Sequence, residues 1–156
     1  MYQKIMVPLD GSELAECVLP HVESLAKSSP AGKVILIRAV EPFHMPMGEG
    51  ATAFSDEDLK RIHAEDVQRA ENYLKEVAGR ASFGGAEVET VVINSGRVAD
   101  GLAEYATKNG VDIIVLATHG RSGISRWVWG SVADRILRSA CVPVVMVRAP
   151  GCVPGI

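Results

Sequence analysis

Ile113, Ile114, Val115 and Leu116 form an unbroken apolar run with no polar side chain for either face of a strand. A strand that is apolar on both faces has to be covered on both, and a parallel sheet layered with helices does this. Similar short runs recur at Ile5-Met6-Val7 with Leu9, at Val34-Ile35-Leu36-Ile37, and at Pro143-Val144-Val145-Met146-Val147. The segments between them carry helical spacing, so the chain alternates strand and helix throughout. That alternation predicts right-handed crossovers and a doubly wound α/β sheet, with a ligand crevice beyond the carboxyl ends of its strands.

Taken in order, the first strand stops at the Asp10-Gly11-Ser12 turn. Leu14, Val18, Val22 and Leu25 then mark one helix, in which Pro20 predicts a kink, because the apolar spacing continues beyond it. The second strand runs through Val40 to Glu41-Pro42. Residues 42 to 54 show no period and read as a long loop at the same sheet edge as Asp10, either a ligand cover or a plain insertion. Ser55 and Asp58 predict a cap for a long helix carrying Leu59, Ile62, Val67, Ala70, Leu74, Val77 and Ala81 and ending near Gly84-Gly85. Acidic residues alternate with Val88 and Thr90 in the third strand, Glu87 to Val92, which places it at an edge. A helix through Val98, Leu102, Ala103 and Ala106 closes at Asn109-Gly110. The fourth strand, Val111 to Leu116, comes next. A last helix is expected to bury Val132, Ile136 and Leu137 before the fifth strand, Pro143 to Val147.

A chain of 156 residues, 47% hydrophobic, predicts a single domain over 1–149 and a flexible tail over 150–156. A net charge of −3 without a lysine or arginine block gives no electrostatic case for nucleic acid. No apolar run approaches the ~20 residues of a membrane span, and Met1 to Lys4 leave no room for a signal peptide. Cys17, Cys141 and Cys152 are odd in number and unpaired by spacing, so a reducing cytoplasm is expected and no zinc site is.

The stretch from Ala117 to Ser131 holds Gly120, Gly123 and Gly130, two arginines, Arg121 and Arg126, and His119. It joins a strand to a helix, whose first N–H groups lack intrahelical partners and attract anions. Gly130 would admit a phosphate oxygen close to the backbone, and Ser131 would either cap the helix or bond that oxygen. Ser131 and Asp134 also match a weak capping pattern that needs no ligand. Asp10, Ala39 and this loop all fall on the carboxyl edge of the predicted sheet, which favours a nucleotide site.

Over almost its whole length, from Ile5-Met6-Val7-Pro8-Leu9-Asp10-Gly11-Ser12 to Pro143-Val144-Val145-Met146-Val147, the sequence resembles the universal stress protein family. The ATP-binding branch of that family carries G-x2-G-x9-G-[S/T]. Gly120, nine intervening residues and Gly130-Ser131 match all but its first glycine, where this chain has Ala117. The resemblance implies a Rossmann-like sheet in the order 3-2-1-4-5 and an ATP site, with Mg²⁺ accompanying the nucleotide. Asp10 would sit near the nucleoside and Ala39 would offer backbone to adenine. Gly120, Gly130, Ser131 and Val132 would line the phosphates, and His119 the ribose or phosphates. Arg121 would balance charge, and Pro8, Leu9, Ala117 and Gly123 complete the set. Each has a plainer alternative: Asp10 as a helix cap, Ala39 as a strand end, the arginines solvated. Trp127 and Trp129 stay outside the site.

The function expected from this is stress-response regulation through ATP occupancy, with no catalytic or resident metal residues. The alternative is a slow ATPase or phosphoryl-transfer enzyme. Against it, the sequence has no G-x4-G-K-[ST] loop, and it offers Asp10 as the sole carboxylate on the metal side of the edge. A third reading is a dimeric family member that binds no nucleotide. The uncharged fifth strand, at an edge if the order is 3-2-1-4-5, predicts a homodimer by antiparallel pairing.

Overall fold

In the computed structural model, which describes residues 2–28, 32–42, 55–118 and 131–148, five parallel strands lie in the order 3-2-1-4-5. They are β1 (Lys4–Pro8), β2 (Lys33–Val40), β3 (Glu87–Asn94), β4 (Ile113–Ala117) and β5 (Val144–Val147). The helices between them are α1 (Glu13–Glu16), α2 (Leu19–Ser28), α3 (Asp56–Arg80), α4 (Val98–Lys108) and α5 (Ser131–Ser139). Residues 43–54 of the loop expected over 42–54, most of the glycine-rich stretch and the tail from residue 149 lie outside the described residues.

The period of two along each strand divides the core into two layers. Ile5, Val7, Val34, Leu36, Ile113 and Val115 pack with Val22 of α2 and Leu74 and Val77 of α3. Their alternates, Met6, Ile35, Ile37, Ile114 and Leu116, pack with Ala99, Leu102 and Ala106 of α4 and with Ala133 and Ile136 of α5. This is the doubly wound α/β arrangement that the apolar runs predict. No helix among the described residues is long and apolar enough to cross a membrane.

The cap of α3 forms as its sequence indicates: the Ser55 hydroxyl accepts the Asp58 N–H at 3.1 Å, and the Asp58 carboxylate accepts the Ser55 N–H at 3.2 Å. The Ser55 hydroxyl, which also donates to the Asp58 carboxylate at 2.8 Å, and then the Ser55 N–H hold the Asp58 carboxyl below the usual range.

Two expectations need correction. The segment after β1 is two helices separated at Cys17-Val18, not one helix kinked at Pro20. Pro20 occupies the first turn of α2, where a missing N–H leaves no intrahelical bond broken. The apolar spacing persists across the break because both pieces cover one core cluster. In α5 the buried residues are Ala133 and Ile136, whereas Val132 and Leu137 are 38% and 44% exposed. The small side chain of Ala133 lets α5 approach the sheet and turns its larger neighbours outward.

Candidate functional site

Between β1 and β4 the chain reverses its winding, since β1 leads to β2 and β3 on one side and β4 leads to β5 on the other. Pairing of these two strands covers only Ile5 with Ile113 and Met6 with Ile114, against five pairs between β1 and β2. Beyond that point each strand holds to its outer neighbour. The Leu9 N–H donates to the Ile37 carbonyl at 2.9 Å, and the Thr118 N–H to the Val147 carbonyl at 2.9 Å. The carboxyl ends of β1 and β4 therefore part, and a cavity of about 810 Å³ opens there.

Pro8, Leu9, Asp10, Ala39, Ala117, Ser131 and Val132 all line this cavity. His119, Gly120, Arg121, Gly123 and Gly130 lie outside the described residues, so the structure neither joins them to the others nor separates them. Asp10 has a local structural task as well: one carboxylate oxygen accepts both the N–H and the hydroxyl of Ser12, at 2.9 and 2.6 Å. Ser12, not Asp10, is the N-cap of α1, its hydroxyl accepting the Ala15 N–H. Ser131 is likewise not a cap but the first residue of α5, exposed, with its backbone at the helix N-terminus on the cavity wall. Asp134, expected to partner it, instead holds Arg138 through two bonds of 3.0 and 3.2 Å.

The cavity reaches further than the sequence indicates. Gly11, Arg38, Glu41, Asp66, Arg69 and Thr118 are also on its wall. Asp10 is thus not the sole carboxylate at this edge, because Glu41 and Asp66 join it. Asp66 is engaged by Arg69 one helical turn on. Among the described residues no three His, Cys, Asp or Glu side chains are disposed to hold a metal ion.

Helix length explains how Asp66 and Arg69 arrive. At 25 residues α3 is about 37 Å long, whereas the eight residues of β2 span about 26 Å. The buried positions of α3 begin at Ala70, so its first turns overhang the carboxyl edge of the sheet and wall the cavity. No local signal marks these two residues. Arg38 did carry one, as the single charge inside an apolar strand, immediately before Ala39.

The guanidinium of Arg38 lies 5.5 Å from the centre of the Tyr73 ring. Burial, and the Glu16 carboxylate that accepts its hydroxyl at 3.0 Å, push the Tyr73 phenol far above its ordinary range. Tyr73 is therefore a neutral, fixed platform at neutral pH.

The family model described as the universal stress protein family matches residues 1–148. Universal stress protein MJ0531 of Methanocaldococcus jannaschii is 34% identical over 151 residues, 96% of this chain and 84% of that one. Among solved structures, the fold is similar to that of the hypothetical protein MJ0577, with a TM-score of 0.80 at 24% identity, covering 97% and 99% of the two chains. It is also similar to a universal stress protein in complex with cAMP, with a TM-score of 0.68, 23% identity and coverage of 95% and 98%. A third neighbour is the universal stress protein from Archaeoglobus fulgidus in complex with dAMP, with a TM-score of 0.58, 22% identity and coverage of 93% and 97%. With a family match over nearly the whole sequence and a sheet parted at its switch point, the chain belongs to the universal stress protein family.

Proposed function

We propose that this protein binds ATP in the crevice between β1 and β4 and acts in the cytoplasm as a nucleotide-dependent regulatory module of the stress response. The observation that carries the reading is the cavity itself, whose volume of about 810 Å³ lies within the range of about 300–1,000 Å³ common for small-ligand sites. Its two ends differ in character. The N-terminus of α5, at Ser131, suits an anion, while the Pro8-Leu9-Asp10 turn and the end of β2 at Ala39 offer the mixed apolar and backbone surface a nucleoside needs. An adenine base is supported by the neighbours solved with cAMP and dAMP. The triphosphate is supported by the spacing of Gly120 and Gly130-Ser131. Mg²⁺ would travel with the phosphates, since it keeps several waters and needs few protein ligands.

Native mass spectrometry of freshly purified protein, followed by calorimetric titration with ATP and adenosine, tests this directly. The expected result is a co-purified or titratable adenine nucleotide. Finding neither would leave the nucleotide-free family member as the better account.

Ala117 ends β4 on the cavity wall, where the family motif has glycine. Ala117→Gly is expected to tighten ATP binding several-fold by removing a methyl group from that wall. The same change should cost about 0.5–1 kcal/mol of stability, because glycine loses more backbone freedom on folding. Calorimetry and thermal melting of the variant measure the two effects, and weaker binding would show that the methyl group is not an obstacle.

We further propose that the active form is a homodimer joined through β5, the uncharged edge of the sheet.

A further inference from the structure

We infer that Arg38 is a ligand-contacting residue that recognises hydrogen-bond acceptors of the nucleoside, at the end of the cavity away from the phosphates. The inference rests on the nucleotide reading above and specifies what that site recognises.

Arg38 follows Val34 and Leu36 on the face of β2 covered by α1 to α3, and its guanidinium is packed as a flat plate. One side faces the Tyr73 ring at 5.5 Å. The guanidinium also fills the place where Gly11 lacks a side chain, for a Cβ there would stand 2.9 Å from Nη1 and 3.2 Å from Cζ. Gly11 has φ +88°, a backbone geometry that calls for glycine. The guanidinium thus has two neighbours, the Tyr73 ring of α3 and the Gly11 turn.

Its N–H edge, however, is unclaimed by the described residues. Among the described residues Arg38 makes no hydrogen bond or ion pair, and its one directed contact is with the Tyr73 ring. Every other arginine in α3, α4 and α5, and Arg97 just before α4, has a carboxylate partner: Arg61, Arg69, Arg80, Arg97, Arg135 and Arg138. A guanidinium offers five N–H donors and no acceptor, so a half-buried one left without partners is costly unless water or a ligand takes those donors. Arg38 lines the cavity, so a ligand held there can do so.

Position decides which part of the ligand this is. Arg38 belongs to the layer of α1 to α3, whereas Ser131 and the N-terminus of α5 belong to the opposite layer. Between β2 and β4 lies β1, which puts them about 10 Å apart at the sheet. With phosphates at α5, the group reaching Arg38 is the sugar or base, whose hydroxyl oxygens and ring nitrogens are neutral acceptors. Arg38 is next to Ala39 and shares the cavity wall with Asp10, so the nucleoside would meet a guanidinium, a carboxylate and a strand end together.

The test compares wild type with Arg38→Met, which keeps the stem over Tyr73 but has no donors, and Arg38→Gln, which keeps an N–H₂ group. Calorimetry with ATP, adenosine and inorganic tripolyphosphate is read beside a thermal melt. A bond from a charged donor is worth about 1.5–3 kcal/mol, so Arg38→Met should weaken ATP and adenosine alike by roughly 10- to 100-fold. Tripolyphosphate should bind as to wild type, and Arg38→Gln should recover part of the loss. If Arg38→Met does not fold, the same split between ligands is read from Arg38→Gln, with a smaller loss expected. Unchanged adenosine binding in a folded variant overturns the inference, and so does a loss confined to ATP and tripolyphosphate, which would make Arg38 a phosphate contact. A wild type that binds neither ATP nor adenosine overturns the nucleotide reading and this inference together.

Discussion

Ser131→Glu is expected to weaken ATP binding by about a hundredfold while leaving the fold as stable as before, or slightly more so. The two effects have opposite signs for one physical reason. Ser131 is the first residue of α5, and the positive end of that helix faces the cavity. A glutamate in a first turn complements the helix dipole and typically contributes about 0.3–1 kcal/mol. The same carboxylate would occupy the ground proposed for the phosphates. Two unit charges about 5 Å apart at an effective dielectric of about 20 repel by roughly 3 kcal/mol, and solvent at this exposed position trims that figure. The loss should therefore grow with phosphate charge, largest for ATP, smaller for AMP and absent for adenosine. Calorimetry across those three ligands, with a melting curve, measures it. Equal losses for adenosine and ATP would move the phosphates away from α5, and no loss for any ligand would remove the site from this crevice.

How much of this was legible in the sequence depends on whether the signal is local. The strands were, because an apolar run such as Ile113 to Leu116 or Val34 to Ile37 has no use outside a covered sheet. So were the Ser55–Asp58 cap and the edge position of β3, which follow from neighbours in the chain. Errors arose where packing chose between equivalent local patterns. In α5 the apolar triad Val132, Ile136 and Leu137 fits a helical face, but the sheet takes Ala133 and Ile136 instead. Pro20 is consistent with a kink or with a helix start, and only the turn at Cys17-Val18 decides. At the site, Pro8, Leu9, Asp10, Ala39, Ala117, Ser131 and Val132 share one cavity because strand ends in a parallel sheet converge on one edge. Asp66 and Arg69 were invisible, since their presence follows from the overhang of α3 and not from any pattern around them.

The second large effect is expected in assembly: Val145→Lys should convert a two-fold homodimer into a folded monomer. The two edges of the sheet are unlike. The outer strand β3 carries Glu87 and Glu89, which Lys33 of β2 reaches at 3.2 and 3.0 Å, and charge of this kind discourages pairing with another chain. At the other edge β5 reads Val-Val-Met-Val and pairs with β4 alone among the described residues. Val145 there is 36% exposed, an apolar side chain open to solvent on that edge strand. Antiparallel pairing of β5 with its mate would satisfy its open backbone groups and cover such side chains in one closed interface. Two lysine substitutions separate interface from core. Met146 pairs with Leu116 and packs against the cluster that includes Ile114 and Ile136, so Met146→Lys should destabilise the protomer itself. Val145 faces the opposite side, and a lysine there meets solvent in the monomer but its own symmetry mate in the dimer. Sedimentation at micromolar concentration should show a dimeric wild type and a monomeric Val145→Lys with an unaltered melting profile apart from its concentration dependence. A wild type that sediments as a monomer, or a Val145→Lys variant that remains as tightly dimeric as wild type, would show that β5 is not the joining strand.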